Sequence, residues 1–306
     1  MARIISASRR TDIPRFYGDW FAERRREGTA SFRTAFGFEG TVSLAADDVL
    51  GYLFWTKDAR PFRGQLEQLL SEGVACAFQY TITGYGRPLE PYIPPPERVV
   101  EDLRSISALL PSPRCVQWRY DPIVLCDEHP AEDHLERFQR LAAALEGATE
   151  VVNISFVEPY LKALRRIDDS SVRYRRFDPA RHKTVAKRYP SLPLVGEEAA
   201  ELLGGMERVA REHGMELRAC ANPEWGIPAA QCCSAEMFSP YSAELAVSLE
   251  RLKVAPTRDA CRCLESVDIG MDNTCVGGCL YCYVVSSHEA ALANRKQHDP
   301  KAPSLR

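Results

Sequence analysis

The sequence predicts an α/β protein, a partial parallel (β/α)6-type barrel with a C-terminal cysteine-rich segment. Three observations carry this. Short apolar runs rich in β-formers alternate with helical patterns about six times, the rhythm of a parallel sheet with crossover helices. Each run turns polar at its carboxyl end, where such folds place their chemistry. Eight of the eleven cysteines lie between Cys220 and Cys282.

Taken in order, the predicted strands are Arg3–Ser6, Gly51–Thr56, Ala75–Thr81, Cys115–Tyr120, Val151–Phe156 and Glu216–Cys220. Phe16, Trp20 and Phe21 mark the first helix, and Gln65 to Leu70 lie in the second. Pro96 opens a helix running to Leu110, in its first turn, where a missing N–H costs little. Leu135, Phe138, Leu141 and Leu145 form one stripe of a helix over Glu132–Leu145, which Gly147 stops. Glu197 to His213 is another, closed by Gly214. Residues 1–220 are expected to form the barrel. Residues 221–306 are expected to pack over its mouth, within the same structural unit.

The chain has 306 residues, 26% charged and 45% hydrophobic, with a net charge of -3, which excludes a disordered or collagen-like protein. The near-neutral balance argues against wholesale electrostatic binding to nucleic acid or membrane. No apolar run approaches the roughly 18 residues of a membrane span, and the N-terminal apolar stretch is too short for a secretory signal, so a cytoplasmic protein is expected. In that compartment an odd number of cysteines reads as free thiols or metal ligands rather than disulfides.

Cys275, Cys279 and Cys282 have the spacing C-x3-C-x2-C, with Tyr281 before the last. Gly277 and Gly278 allow a tight backbone around an inorganic core. Three thiolates so spaced can hold three irons of a 4Fe–4S cluster and leave the fourth open. Structural zinc prefers four ligands in two pairs, which a triplet does not supply unless distant cysteines complete it.

This spacing, with its aromatic, resembles the motif of the radical S-adenosylmethionine (radical SAM) enzymes. The resemblance implies a β/α barrel whose open iron binds SAM and whose electron cleaves it to a 5′-deoxyadenosyl radical. It also implies an external electron donor such as flavodoxin or ferredoxin. In that superfamily the motif follows the first strand; here it follows the last one, as in a circular permutation or a segment folded back over the mouth. FQYTITGYGRPLEP, PPPERV and WRYDPIV are similar to the middle of spore-photoproduct-lyase-like radical SAM proteins. Over residues 3 to 305 the chain resembles the DUF1848 family, through ISASRRTDIP, FWTK, WRYDPI, the terminal TCVGGCLYCY and a later HDP. That family carries no known reaction.

Cys220, Cys232, Cys233, Cys261 and Cys263 remain near the triplet, the last two as C-x-C. Four of them could close a second site, an auxiliary 4Fe–4S cluster or zinc. The family pattern favours Cys232 over Cys233, giving Cys220, Cys232, Cys261 and Cys263. The alternative is that they are small buried packing residues.

Arg119 and Asp121 are the candidate catalytic pair, unless they are only an internal ion pair. Thr81, Thr83, Ser155, Arg9 and Arg10 are the candidate cofactor-binding residues. Arg9 and Arg10 could grip a phosphate or carboxylate, with Asp12 fixing one of them. Alternatively, Thr11 or Asp12 caps the next helix and the arginines are solvated. Thr81 and Thr83 also suit a strand.

Lys162 to Arg188 holds ten Lys or Arg against three Asp, interleaved with Tyr174 and Phe177. Such a run can follow a nucleic-acid backbone, although more often it is a solvated surface. The expected function is therefore a radical SAM enzyme acting on an unidentified small molecule or nucleic acid. The rival is a non-catalytic iron–sulfur or zinc-bearing binding protein, with nucleic acid as its possible partner.

Overall fold

The computed structural model describes residues 2–34, 37–158, 160–168, 196–220, 222, 225–256 and 260–306. The strands are β1 (Arg3–Ala7), β2 (Thr29–Arg33), β3 (Glu39–Ser43), β4 (Val49–Thr56), β5 (Cys76–Thr81), β6 (Val116–Ile123), β7 (Val151–Phe156), β8 (Glu216–Ala219) and β9 (Ser266–Asp268). The helices are α1 (Ile13–Phe16), α2 (Gly18–Glu27), α3 (Arg63–Ser71), α4 (Pro96–Leu109), α5 (Ala131–Leu145), α6 (Leu161–Asp168), α7 (Glu197–Glu212), α8 (Ala243–Leu249) and α9 (His288–Gln297).

Seven strands form one sheet in the order β8-β7-β6-β5-β4-β1-β9, with every pairing parallel. The six predicted strands are all in it. The seventh, β9, is three residues long and pairs with β1 through Ile4–Ser266, Ile5–Val267 and Ser6–Asp268. The sheet's edges are β8 and β9, so its hydrogen bonding describes an open sheet. β2 and β3 form a separate antiparallel hairpin.

Alternation along the strands gives the sheet two unlike faces. Ile5, Tyr52, Phe54, Phe78, Trp118, Tyr120 and Ile154 lie in the large core shared with the helices. Phe21 of α2 meets Tyr52, Phe54 and Phe62 edge-on, with ring centroids 5.1, 5.4 and 5.6 Å away, and Trp118 stacks on Phe138 at 4.9 Å. Edge-to-face packing and burial together make this layer the main source of stability. Ile4, Leu53 and Ala77 instead join the cysteines of the 220–263 segment. Gly51 lets Phe238 of that segment approach: a Cβ there would lie 2.7 Å from the Phe238 ring. Beside them a buried polar row crosses the sheet. Gln79 and Asn153 both donate to Gln117 Oε1 at 2.7 Å, and Gln79 also donates to the Cys232 carbonyl at 2.9 Å.

The cysteine-rich segment therefore divides. Its first part, with α8, lies on the face opposite α1–α5 and α7. Its second part, after β9, lies beyond the carboxyl ends of the strands.

His134 of α5 is fully buried. Its ring lies between the Tyr120 hydroxyl (2.9 Å from Nδ1) and the Val124 carbonyl (3.1 Å from Nε2), an arrangement a neutral imidazole satisfies. Burial pulls its pKa down to about 4. In the unfolded chain it titrates near ~6.5. The unfolded state thus binds the extra proton first, and stability falls as pH drops from about 6.5 to 4, by up to roughly 3 kcal/mol. Urea unfolding of wild type and His134→Asn across this range checks it; equal pH slopes would refute it.

Candidate functional site

Asp268, the last residue of β9, organises the end of the sheet. It accepts from Ser6 Oγ (2.8 Å), Ser8 Oγ (2.9 Å), the Arg9 backbone N–H (2.9 Å), Arg10 Nε (3.2 Å) and the Gly270 N–H (3.1 Å). The expectation that Asp12 fixes an arginine is corrected here. Asp12 caps α1, accepting from Arg15 N at 3.1 Å, and accepts from Lys57 N at 3.0 Å. Arg10 is also committed to the Arg33 carbonyl (2.7 Å), the Gly270 carbonyl and Asp272 (3.3 Å). Arg9 lies 3.7 Å from Asp268 and over Trp55, its CZ atom 5.9 Å from the ring centroid.

The loop carrying Cys275, Cys279 and Cys282 follows directly. Thr274 anchors its start: its hydroxyl meets that of Thr11 at 2.6 Å, and its carbonyl accepts from Tyr17 OH at 2.7 Å. Gly278 adopts φ +70° under the Tyr92 ring, where a Cβ would come within 2.5 Å. Arg166 of α6 clamps the far side, donating to the carbonyls of Leu280 (3.0 Å), Cys282 and Val285 (2.6 Å).

Under the loop lies a buried charged knot. Glu90 Oε1 accepts from Lys57 Nζ (2.7 Å), Thr83 Oγ1 (2.7 Å) and Tyr281 OH. Burial alone would raise the Glu90 pKa, but Lys57 and these donors hold it below the usual range. Glu90→Gln leaves Lys57 without a counter-charge under the loop. The expected cost is about 2–4 kcal/mol, read as a lower denaturation midpoint with an unchanged slope. Thr81, Thr83 and Glu90 also line a cavity of about 200 Å³ with Pro91 and Ile93.

Arg119 pairs with Asp121, which accepts from Ser155 Oγ. Arg119 also donates to Gln79 Oε1 (3.2 Å) and Cys232 Sγ (2.9 Å), and lies over Trp55 at 5.1 Å. The structure thus joins Arg119, Asp121 and Ser155 to the second cysteine group, and Thr83, through Glu90, to Tyr281 of the triplet loop, while Thr81 lines the cavity beside Glu90. Trp55, Lys57, Glu90 and Asp268 belong to these constellations and were not singled out as site residues by sequence, although FWTK contains the first two; Arg166 entered only as one member of the Lys162–Arg188 basic run. The basic run from residue 169 onward lies outside the described residues.

The triplet's donor chemistry fits a thiolate-held cluster. All three cysteines are free and partly exposed, and each lies within electrostatic reach of the others. Burial, with Asp12 nearby, pushes the Cys275 thiol up to about 12, so metal must displace protons on binding. Among the described residues, no group of three or more Cys, His, Asp or Glu side chains is placed so that it could hold a metal ion. No helix among them is long and apolar enough to cross a membrane.

Fold and site together define an α/β protein with a parallel sheet and a thiol-bearing loop beyond its strand ends. The chain belongs to the DUF1848 family: the family model, described as a domain of unknown function, matches residues 4–284. No curated protein and no solved structure matches it.

Proposed function

We propose that this chain is a radical SAM enzyme. The observation that carries the reading is the C-x3-C-x2-C loop seated beyond the carboxyl ends of a parallel sheet, with the cavity lined by Thr81, Thr83 and Glu90 nearby. Cys275, Cys279 and Cys282 would hold a 4Fe–4S cluster. When bound, such a cluster supplies the single electron for reductive cleavage of SAM.

The chain's own residues bind and orient. Arg166 and the Lys57–Glu90–Tyr281 knot fix the loop from two sides, so the three thiols are presented on a rigid base. Thr81 and Thr83 offer hydroxyls at the cavity for the polar part of SAM. Arg9, over Trp55, presents a cationic group for an anionic or aromatic substrate, while Arg119 holds Trp55 from within. An external flavodoxin or ferredoxin would deliver the electron.

Anaerobic reconstitution with iron and sulfide, followed by assay for 5′-deoxyadenosine with a chemical reductant, tests the proposal. Iron incorporation without any spectral change on adding SAM would favour a cluster-bearing binding protein instead.

A further inference from the structure

Five buried cysteines outside the triplet gather on the face opposite α1–α5 and α7. Cys220, Cys232, Cys233, Cys261 and Cys263 share one cluster with Ile4, Leu53, Ala77 and Phe238. Backbone bonds bring them there from three segments. Cys220 continues β8, its N–H bonded to the Ile154 carbonyl at 2.9 Å. The chain returns beside β8, with Ala230 N donating to the Ala219 carbonyl at 2.9 Å, and so delivers Cys232 and Cys233. Leu264 N then bonds the Cys233 carbonyl at 2.8 Å, and Ala255 N the Cys263 carbonyl at 2.9 Å, which lays the C-x-C pair against them. β9 begins three residues after Cys263 and lies at the other edge of the sheet.

Cys232 is within hydrogen-bond reach of both Cys220 and Cys263. Cys233 meets Ser266 and lies within electrostatic reach of Cys232 and Cys261. Cations converge on the same place. Arg119 Nη1 is 2.9 Å from Cys232 Sγ, and Arg9 lies within electrostatic reach of Cys263, Cys233 and Cys232.

Packing alone accounts for buried cysteines, which behave as small apolar residues. It accounts less well for a guanidinium N–H aimed at a sulfur: Asp121 pairs the Arg119 charge, yet that N–H is left to a thiol, which is a weak acceptor when neutral. A thiolate is a far better acceptor. Four of them around a zinc ion, or around a 4Fe–4S core, leave a net charge of about −2, and Arg119 and Arg9, though already paired with Asp121 and Asp268, place positive groups beside it.

We propose that Cys220, Cys232, Cys261 and Cys263 hold a second, all-thiolate metal centre, zinc or an iron–sulfur cluster, that ties the chain leaving edge strand β8 to the chain entering edge strand β9. Closure of the four ligands accompanies metal binding, as in other sites where metal and folding are coupled. Arg119 is a positioning residue for this centre, with Asp121 and Ser155 holding it in turn.

The proposal does not rest on SAM chemistry, and neither does its test. Cys275, Cys279 and Cys282 are all changed to Ala, and the protein is purified anaerobically. Metal is measured by mass spectrometry and sulfide chemically. The expected result is about one centre per chain. Zinc without sulfide identifies a zinc site; iron with matching sulfide identifies a cluster. Adding Cys232→Ala lowers the content at least tenfold, whereas adding Cys233→Ala leaves it unchanged. Absence of metal from the triple variant, even after incubation with zinc and with ferrous iron plus sulfide, overturns the proposal without needing the Cys232 variant to fold. Equal metal in the Cys232 and Cys233 variants overturns it as well.

Discussion

On the radical SAM reading proposed above, changing any one of Cys275, Cys279 or Cys282 to Ala should abolish SAM cleavage while the sheet stays folded. A cluster with one open iron needs all three thiolates, and losing one leaves a second iron without a protein ligand. The loss should reach at least a thousandfold in 5′-deoxyadenosine formation, since no other group in the loop supplies a thiolate. Stability should change by less than about 1 kcal/mol in the metal-free protein, because these side chains are only partly buried and the large core lies on the helix-covered face. Iron content, 5′-deoxyadenosine yield and far-UV circular dichroism measured together separate the outcomes. Full iron retention in the triple variant, after allowance for iron at any second site, would sink the enzyme reading.

Asp268→Ala should be the most damaging change away from the cysteines. The carboxylate is largely buried and bonded to two serine hydroxyls, two backbone N–H groups and Arg10, with Arg9 close by. Removing it strands two arginines and unties β9 from β1. Breaking a buried pair from one side costs about 3–5 kcal/mol. The triplet loop starts within seven residues of Asp268, so iron loading should fall along with stability. Asp268→Asn keeps the acceptor oxygen and some of the hydrogen bonds, and should recover part of both losses. A variant that unfolds at the wild-type denaturant midpoint would show that the hub is dispensable.

Six strands were legible because each is an apolar run of β-formers long enough to carry its own signal. β9 was not, because Ser-Val-Asp has one apolar residue and becomes a strand only by lying against β1. Asp268 was hidden for the same reason: its partners are about 260 residues away in sequence. The sequence pointed to Asp12 as the neighbour of Arg9 and Arg10, since it is adjacent in the chain; the structure gives that place to Asp268. The triplet loop was noticeable in the sequence because its three cysteines lie close together in the chain. The Lys57–Glu90–Tyr281 knot joins three loops and has no local spacing to betray it. Arg119 and Asp121 were read as a pair, and they are one. That the same guanidinium touches Cys232 depends on which face of β6 the 220–263 segment covers, which no periodicity states.

The pairing of β1 with β9 also sets an order of events during synthesis. Ser6 and Asp268 are separated by 262 residues. At about 5–20 residues per second, the ribosome makes β1 roughly 13–50 s before its neighbour exists. Until then one flank of β1 is an unpaired edge, and the hydroxyls and arginines that follow it have no carboxylate to gather them. A nascent chain that has folded its first six sheet strands therefore still lacks the anchored loop that would receive iron. On the proposed reading, iron delivery to the triplet would follow translation, and chains interrupted before residue 268 lack Cys275, Cys279 and Cys282.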